Sequence, residues 1–333
     1  MKPTSGPWGG QPVPMPTAPE ALRGVRRLHT APQPPSVPPT PASTDHVDRL
    51  LALTGRQRRN AVELTLRQPA HRGQVIAVLG MAGSGRSTLA ALLTMVTAKH
   101  QRAPVLAVDC SGSLWPGLAR RLPVPPNLEL DWQHLAPAFT SVDDTAAARG
   151  IAERIPQVNL RASQAWVGRL GGTPYGQPNP PTPANATVRT IEIARRLGRY
   201  TFVDSAAETH WQGQLTAVFA DALVVTCRAD ASELRRTARL VRLLSAASER
   251  DFTSTTVITA VDHRGRRWSR ATAAAIAAAG EAAAAVMRIP YDPALADSSS
   301  PVFRAGAATT DAAAHIAAVA ACLSLNRAER STT

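Results

Sequence analysis

From residue 74 onward, short apolar runs alternate with segments whose apolar residues recur every three or four positions. The runs are QVIAVLG (74–80), PVLAVD (104–109), QVNLRA (157–162), YTFVD (200–204), ALVVTC (222–227), TTVITAV (255–261) and AVMRI (285–289). Between them stand STLAALLTMVTAKH, TAAARGIAERI, TVRTIEIARRLG and ASELRRTARLVRLLSAAS, whose spacing predicts helices with one apolar face. A strand apolar along its whole length needs cover on both sides. The alternation therefore predicts an α/β fold, a mainly parallel twisted sheet with helices on both faces. Ligands of such sheets bind beyond the carboxyl ends of the strands.

Outside this region the pattern changes. Residues 1–44 are rich in Pro, Gly, Thr and Ser and lack periodic apolar positions, which predicts a disordered Pro-rich tail. Residues 45–71 form a lead-in, with a short helix followed by an extended or helical piece, and Arg56, Arg58 and Arg59 between them on a solvated face. The domain itself is expected over 72–325, with a flexible C-terminus at 326–333. LGGTPYGQPNPPTPANAT (170–187) holds too much Gly and Pro for a helix or central strand, so it reads as a long surface loop. ATAAAIAAAGEAAAAV reads as a soluble helix or helix pair, and DAAAHIAAVAACLSLNRAER as an Ala-rich helix packed on the sheet.

Composition refines the picture in three ways. The 333 residues carry a formal net charge of +13, almost all of it from arginine, since Lys2 and Lys99 are the lysines. That charge permits contact with nucleic acid, including non-specific DNA, or with an anionic surface. Cys110, Cys227 and Cys322 are far apart, in none of the paired spacings of zinc sites or disulfide frameworks, which suits a reducing cytoplasm. No run of eighteen apolar residues and no charged-then-apolar leader pattern is present, so no integral membrane segment is expected.

The chemistry concentrates at residues 80–88, GMAGSGRST. Gly80, Gly85 and Ser87 occupy the fixed positions of G-x-x-x-x-G-K-[ST], with Arg86 in place of the lysine. An apolar strand ends at Gly80 and a helix-forming run starts at Arg86. Backbone N–H groups from Ala82 to Thr88 and a helix N-terminus then converge on one anion. The Ser87 hydroxyl and Asp204, at the end of YTFVDSA, are placed for Mg²⁺; Asp109 ends the neighbouring run VLAVDCSG. Either acid also suits a plain helix cap.

The order of GMAGSGRSTLAALL, VLAVDCSG, YTFVDSA, ALVVTC, TTVITAVDHRGRR and RIPYDPALA resembles the ParA/MinD family of deviant Walker-A ATPases over residues 72–323. Within that family the Pro-rich tail and IPYDPALA are similar to actinobacterial ParA-like proteins associated with type VII secretion. The resemblance implies ATP with Mg²⁺ and a nucleotide-dependent homodimer that acts as a switch for a protein partner complex, in secretion or partition. Against the family's K-G-G-x-G-K-[ST], the residues are Met81, Ala82, Gly83, Ser84, Gly85, Arg86 and Ser87, so both lysines are missing. The D-x-D motif keeps Asp109 and has Ser111 in second place. IPYD keeps Ile289, Pro290, Tyr291 and Asp292, which the resemblance puts against the base, whereas Ala260 and Val261 follow Thr259 without a polar base-reading residue.

Arg86 admits two readings. An arginine-biased chain preserves the charge by drift, but a planar, fork-shaped guanidinium does not put it where a slim ammonium does. Hydrolysis depends on placement more than binding does. Arg86 and Asp109 are thus the candidate catalytic residues, and weak or absent hydrolysis is expected. The other expectation is a pseudo-ATPase adaptor that keeps the fold for protein contacts. DHRGRRWSR (262–270), with Trp268 among arginines, reads as a solvated loop or a partner contact.

Overall fold

The computed structural model describes residues 44–68, 73–101, 103, 105–111, 117–122, 129–130, 167–171, 184–205, 211–248, 250–265, 268–297 and 300–330. Residues 1–43 of the expected tail, and the runs QVNLRA and TAAARGIAERI, lie outside them, while Thr44 opens the first helix.

Among the described residues eight strands form one sheet: β1 (Gln74–Gly80), β2 (Val105–Cys110), β3 (Glu129–Leu130), β4 (Val167–Gly171), β5 (Tyr200–Ser205), β6 (Ala222–Arg228), β7 (Thr256–Val261) and β8 (Ala285–Ile289). Their spatial order is β3-β4-β2-β5-β1-β6-β7-β8, and every neighbouring pair is parallel. All seven residues of β1 are buried, as a run apolar on both faces requires. β1 lies between β5 and β6, with β2 to β4 beyond β5 and β7 and β8 beyond β6. The connections therefore reverse direction around β1, which makes its carboxyl end the natural crevice.

Two groups of helices cover the sheet. One core joins α1 (Thr44–Ala52), α2 (Gly55–Arg67), α3 (Arg86–Ala98) and α9 (Ala307–Arg330) through Val47, Leu50, Leu66, Leu92, Ile316 and Val319, with Ile76 and Val78 from β1. The second group is α5 (Ala184–Leu197), α6 (Trp211–Phe219), α7 (Ala231–Ser248) and α8 (Arg270–Gly280), in which α5 packs on α6 and α7 on α8. The short helix α4 (Gly117–Arg121) packs against α3.

The lead-in is not an appendage. Both of its helices pack against α9, and His315 Nε2 on α9 meets the Leu50 carbonyl at 2.9 Å. Nothing at residues 45–71 predicted this, because the partner lies 265 positions downstream. Ala307–Leu325 is long and apolar enough to cross a membrane, but 67% of that window is buried within the protein, as a core helix is. Its alanines let it lie close to the sheet, while the larger Ile316, Val319 and Leu323 each contribute about 1.5–3 kcal/mol by burial.

Several expectations change. The proposed loop at 170–187 is shorter, since β4 runs to Gly171 and α5 starts at Ala184. VGRLG escaped notice because two glycines and an arginine leave it only two apolar residues, too few for a visible strand pattern. ATAAAIAAAGEAAAAV is neither one helix nor a helix pair: α8 stops at Gly280 and the last residues open β8. The final helix continues to Arg330.

Candidate phosphate-binding site

At the end of β1 the chain turns under a tightly fitted loop. A Cβ on Gly80 would fall 2.2 Å from Thr226 Oγ1 and 2.7 Å from both Ser84 Oγ and the Thr226 carbonyl, so no side chain fits there. Gly83 and Gly85 have φ of 76° and 88°, the left-handed region that other residues rarely enter. The Ser84 N–H donates to the Met81 carbonyl at 3.1 Å and Ser84 Oγ lies 2.7 Å from Thr226 Oγ1, which ties the loop to β6. Helix α3 then starts at Arg86 with Gly85 as its N-cap, and no side chain caps it. The N–H groups of its first turn point forward without a side-chain acceptor, an arrangement that favours an anion.

The Arg86 side chain is turned onto Asp204. Its Nε donates to Asp204 Oδ1 at 2.5 Å and its Nη1 to the Gly80 carbonyl at 3.3 Å. Its side chain is 13% exposed and that of Asp204 fully buried. Asp204 Oδ2 is also buried and has no hydrogen-bond partner among the described residues. Asp109 stands in register with Asp204 on the adjacent strand, again fully buried. Its Oδ1 accepts from the Ser111 N–H at 3.1 Å and the Ser111 hydroxyl at 2.7 Å, so the serine in place of the second acid turns back onto the first. Burial, followed by the charges of Asp109 and Asp204, pushes the Cys110 thiol well up.

Beside the loop lies a cleft of about 470 Å³. Its walls include Ala82, Gly83, Gly85, Arg86, Ser87 and Thr88 on one side and Pro290, Tyr291 and Asp292 on the other. The cleft brings these two segments together, whereas Asp109 and Asp204 are buried and lie off its wall. Asp292 Oδ1 accepts from the Ala294 N–H at 3.0 Å and Oδ2 from the Gly306 N–H at 2.8 Å. It therefore holds its loop in shape.

The structure adds residues that sequence reasoning missed. Arg121, on α4, is buried against the cleft and donates to the carbonyls of Ser300 at 2.8 Å and Leu295 at 3.2 Å. Asp262 and His263 also line the cleft, so DHRGRRWSR is only partly a solvated loop. Asp262 Oδ1 accepts from the N–H groups of Arg264 at 2.9 Å and Gly265 at 3.0 Å, and Oδ2 from Arg288 Nη2 at 2.8 Å. Arg288 in turn stacks 4.6 Å from the Trp268 ring. The signal was available: Asp262 follows β7 much as Asp204 ends β5.

Burial pushes the Asp262 carboxyl up, but the two N–H donors and Arg288 outweigh it and hold the group below its ordinary value. A depressed carboxyl stabilises the fold above its unfolded value of about 3.9 and loses that contribution as pH falls through the folded value. Urea unfolding of Asp262→Asn should therefore show a shallower loss of stability below about pH 4 than the native chain. Equal slopes would mean that the pairing contributes nothing.

No family model and no curated protein matches the chain. Among solved structures, a ParA family ATPase from Chlorobium tepidum TLS superposes with a TM-score of 0.54 at 19% identity, covering 73% of this chain and 98% of that one. The fold is the ParA ATPase fold. The MinC:MinD complex of Aquifex aeolicus gives 0.48 at 17% identity, over 74% of this chain and 94% of that one. A Cyanothece McdA variant in complex with ATP gives 0.42 at 19%, over 66% and 83%.

The resemblance to this fold's ATPases implies Mg²⁺ at Ser87 and Asp204, and the donor set does not fit it as arranged. Asp204 Oδ1 is taken by the Arg86 guanidinium, and Oδ2 is sealed from solvent. Gly117 of α4 lies so close to Ser87 that a Cβ there would meet Ser87 Oγ at 2.7 Å. A hydrated cation entering the cleft reaches the carboxylate only by displacing a tethered positive charge.

Proposed function

We propose that the chain is a ParA/MinD-like nucleotide-binding protein, a switch or positioning factor for a protein partner complex, which binds ATP and ADP but hydrolyses slowly or not at all. The observation that carries this reading is the uncapped N-terminus of α3 under the Gly83–Gly85 loop, opening onto a cleft of about 470 Å³. The N–H groups of the first turn hold phosphate oxygens, and Pro290 and Tyr291 on the opposite wall supply an apolar surface for a base. Nucleotide exchange then alters this face of the protein, and with it a homodimer or partner contact. Secretion and partition complexes are the partner classes that the sequence resemblance suggests.

Slow hydrolysis follows from what surrounds the cradle. Arg86 is held on Asp204, Asp109 is turned to Ser111, and Met81 offers no charge at the loop tip. Transition-state stabilisation needs charge that can follow the reacting phosphoryl group; Met81 and Asp109 do not supply it, and Arg86 is held in place by Asp204.

Calorimetric titration of the full chain with ATP and ADP is expected to show saturable binding of both. Absence of heat with either would leave the second reading, an adaptor that keeps the fold for protein contacts alone. The Arg86–Asp204 pair favours that reading, because it gives the buried carboxylate a counter-charge without any ligand. Salt-sensitive retention of DNA is the separate test of the +13 surface.

A further inference from the structure

We propose that Arg86 serves this site as a built-in cation, standing between Asp204 and the phosphates of a bound nucleotide in the place of a divalent metal. The inference rests on the nucleotide-binding reading of the cleft and assigns it a mode of phosphate recognition that does not require Mg²⁺.

A fully buried carboxylate needs a positive partner, and in this chain Arg86 provides it through Nε at 2.5 Å. The same guanidinium is pinned to the start of the phosphate loop, through Nη1 and the Gly80 carbonyl at 3.3 Å. These two contacts use only part of a five-donor fork, and Arg86 still forms part of the cleft wall. The N–H groups that these contacts leave over are the donors available to a phosphate in the cleft. A planar fork with one edge on a carboxylate and another toward phosphate oxygens matches the geometry that both anions prefer. A metal ion at this place would do the same bridging, and the two cannot share it.

The carboxylate offers a metal ion little access. Asp204 Oδ2 is the oxygen left over, and it has no solvent-accessible surface through which a hydrated ion could find it. Gly117 packs close beside the hydroxyl of Ser87. Because Arg86 is covalently attached, it holds the position at an effective concentration that a free ion must exceed.

The test is calorimetric titration of the full-length chain with ADP, once with excess MgCl2 and once with excess EDTA. Equal affinities, within about twofold, are expected. Arg86→Lys, which withdraws the fork from Asp204, is expected to bind ADP at least about tenfold more tightly with Mg²⁺ than with EDTA. Asp204→Asn frees the guanidinium for phosphate and is expected to tighten ADP binding in EDTA by several-fold. Native binding that is more than about tenfold tighter in Mg²⁺ overturns this inference and leaves the nucleotide reading intact. Absence of binding under both conditions overturns the two together. The native comparison decides the matter even where a variant fails to fold.

Discussion

Arg86→Ala is expected to lower the free energy of unfolding by about 3 kcal/mol, because it leaves the Asp204 carboxylate buried without a partner. The side chain is 13% exposed and its partner is fully buried, so solvent screens the pair little. The cost arises less from the lost attraction than from the charge left behind. Asp204→Asn in the Arg86→Ala background should therefore recover much of the loss, and urea unfolding of the single and double variants gives the coupling directly. A coupling of at least about 1 kcal/mol is predicted. Additive effects of the two substitutions would show that they do not depend on one another.

Gly80→Ala is expected to cost about 1–3 kcal/mol and to weaken nucleotide binding at least about tenfold. The added methyl would lie 2.2 Å from Thr226 Oγ1, 2.7 Å from Ser84 Oγ and 2.7 Å from the Thr226 carbonyl. A hydroxyl can rotate away, but the carbonyl belongs to β6 and cannot move without disturbing the sheet. The strain is relieved by lifting the loop, which misplaces the N–H groups of Gly85 to Thr88. Gly280→Ala is the control, since a Cβ there meets nothing within 4 Å. Thermal unfolding and an ADP titration of the two variants separate a general glycine effect from the fit of this loop. Equal behaviour of both would contradict the cradle described here.

The sheet was legible because its strands are buried on both sides and so appear as continuous apolar runs. β6 and β7 match ALVVTC and TTVITAV to within a residue at each end. β4 was not legible. Gly168 and Gly171 dilute its pattern, and the Pro-rich stretch that follows drew its last two residues into a loop. The place of α1 and α2 in the main core was hidden for a different reason, since it depends on α9 at the far end of the chain, and local periodicity carries no information about such distant partners.

For the site, the sequence identified the backbone better than the side chains. Gly80, Gly83 and Gly85 are required by close approach and by left-handed φ, which are local properties of a short loop. The direction of Arg86 is not local. It depends on Asp204, 118 residues away, coming into register beside β1. Ser111 was read as a lost acid, whereas it also binds Asp109 and turns that carboxylate away from the cleft. Asp262 and Arg288 were missed because their pairing joins the ends of two strands that are neighbours only in the folded sheet.

A phosphate cradle whose charged side chains face one another makes a direct demand on the fate of bound ATP. Full-length protein mixed with γ-labelled ATP, separated rapidly from free nucleotide and quenched after increasing intervals should release the label from the protein almost entirely as intact ATP. Recovery as ADP and phosphate at the rate of an ordinary P-loop ATPase would contradict a site that has kept binding and lost its catalytic charges.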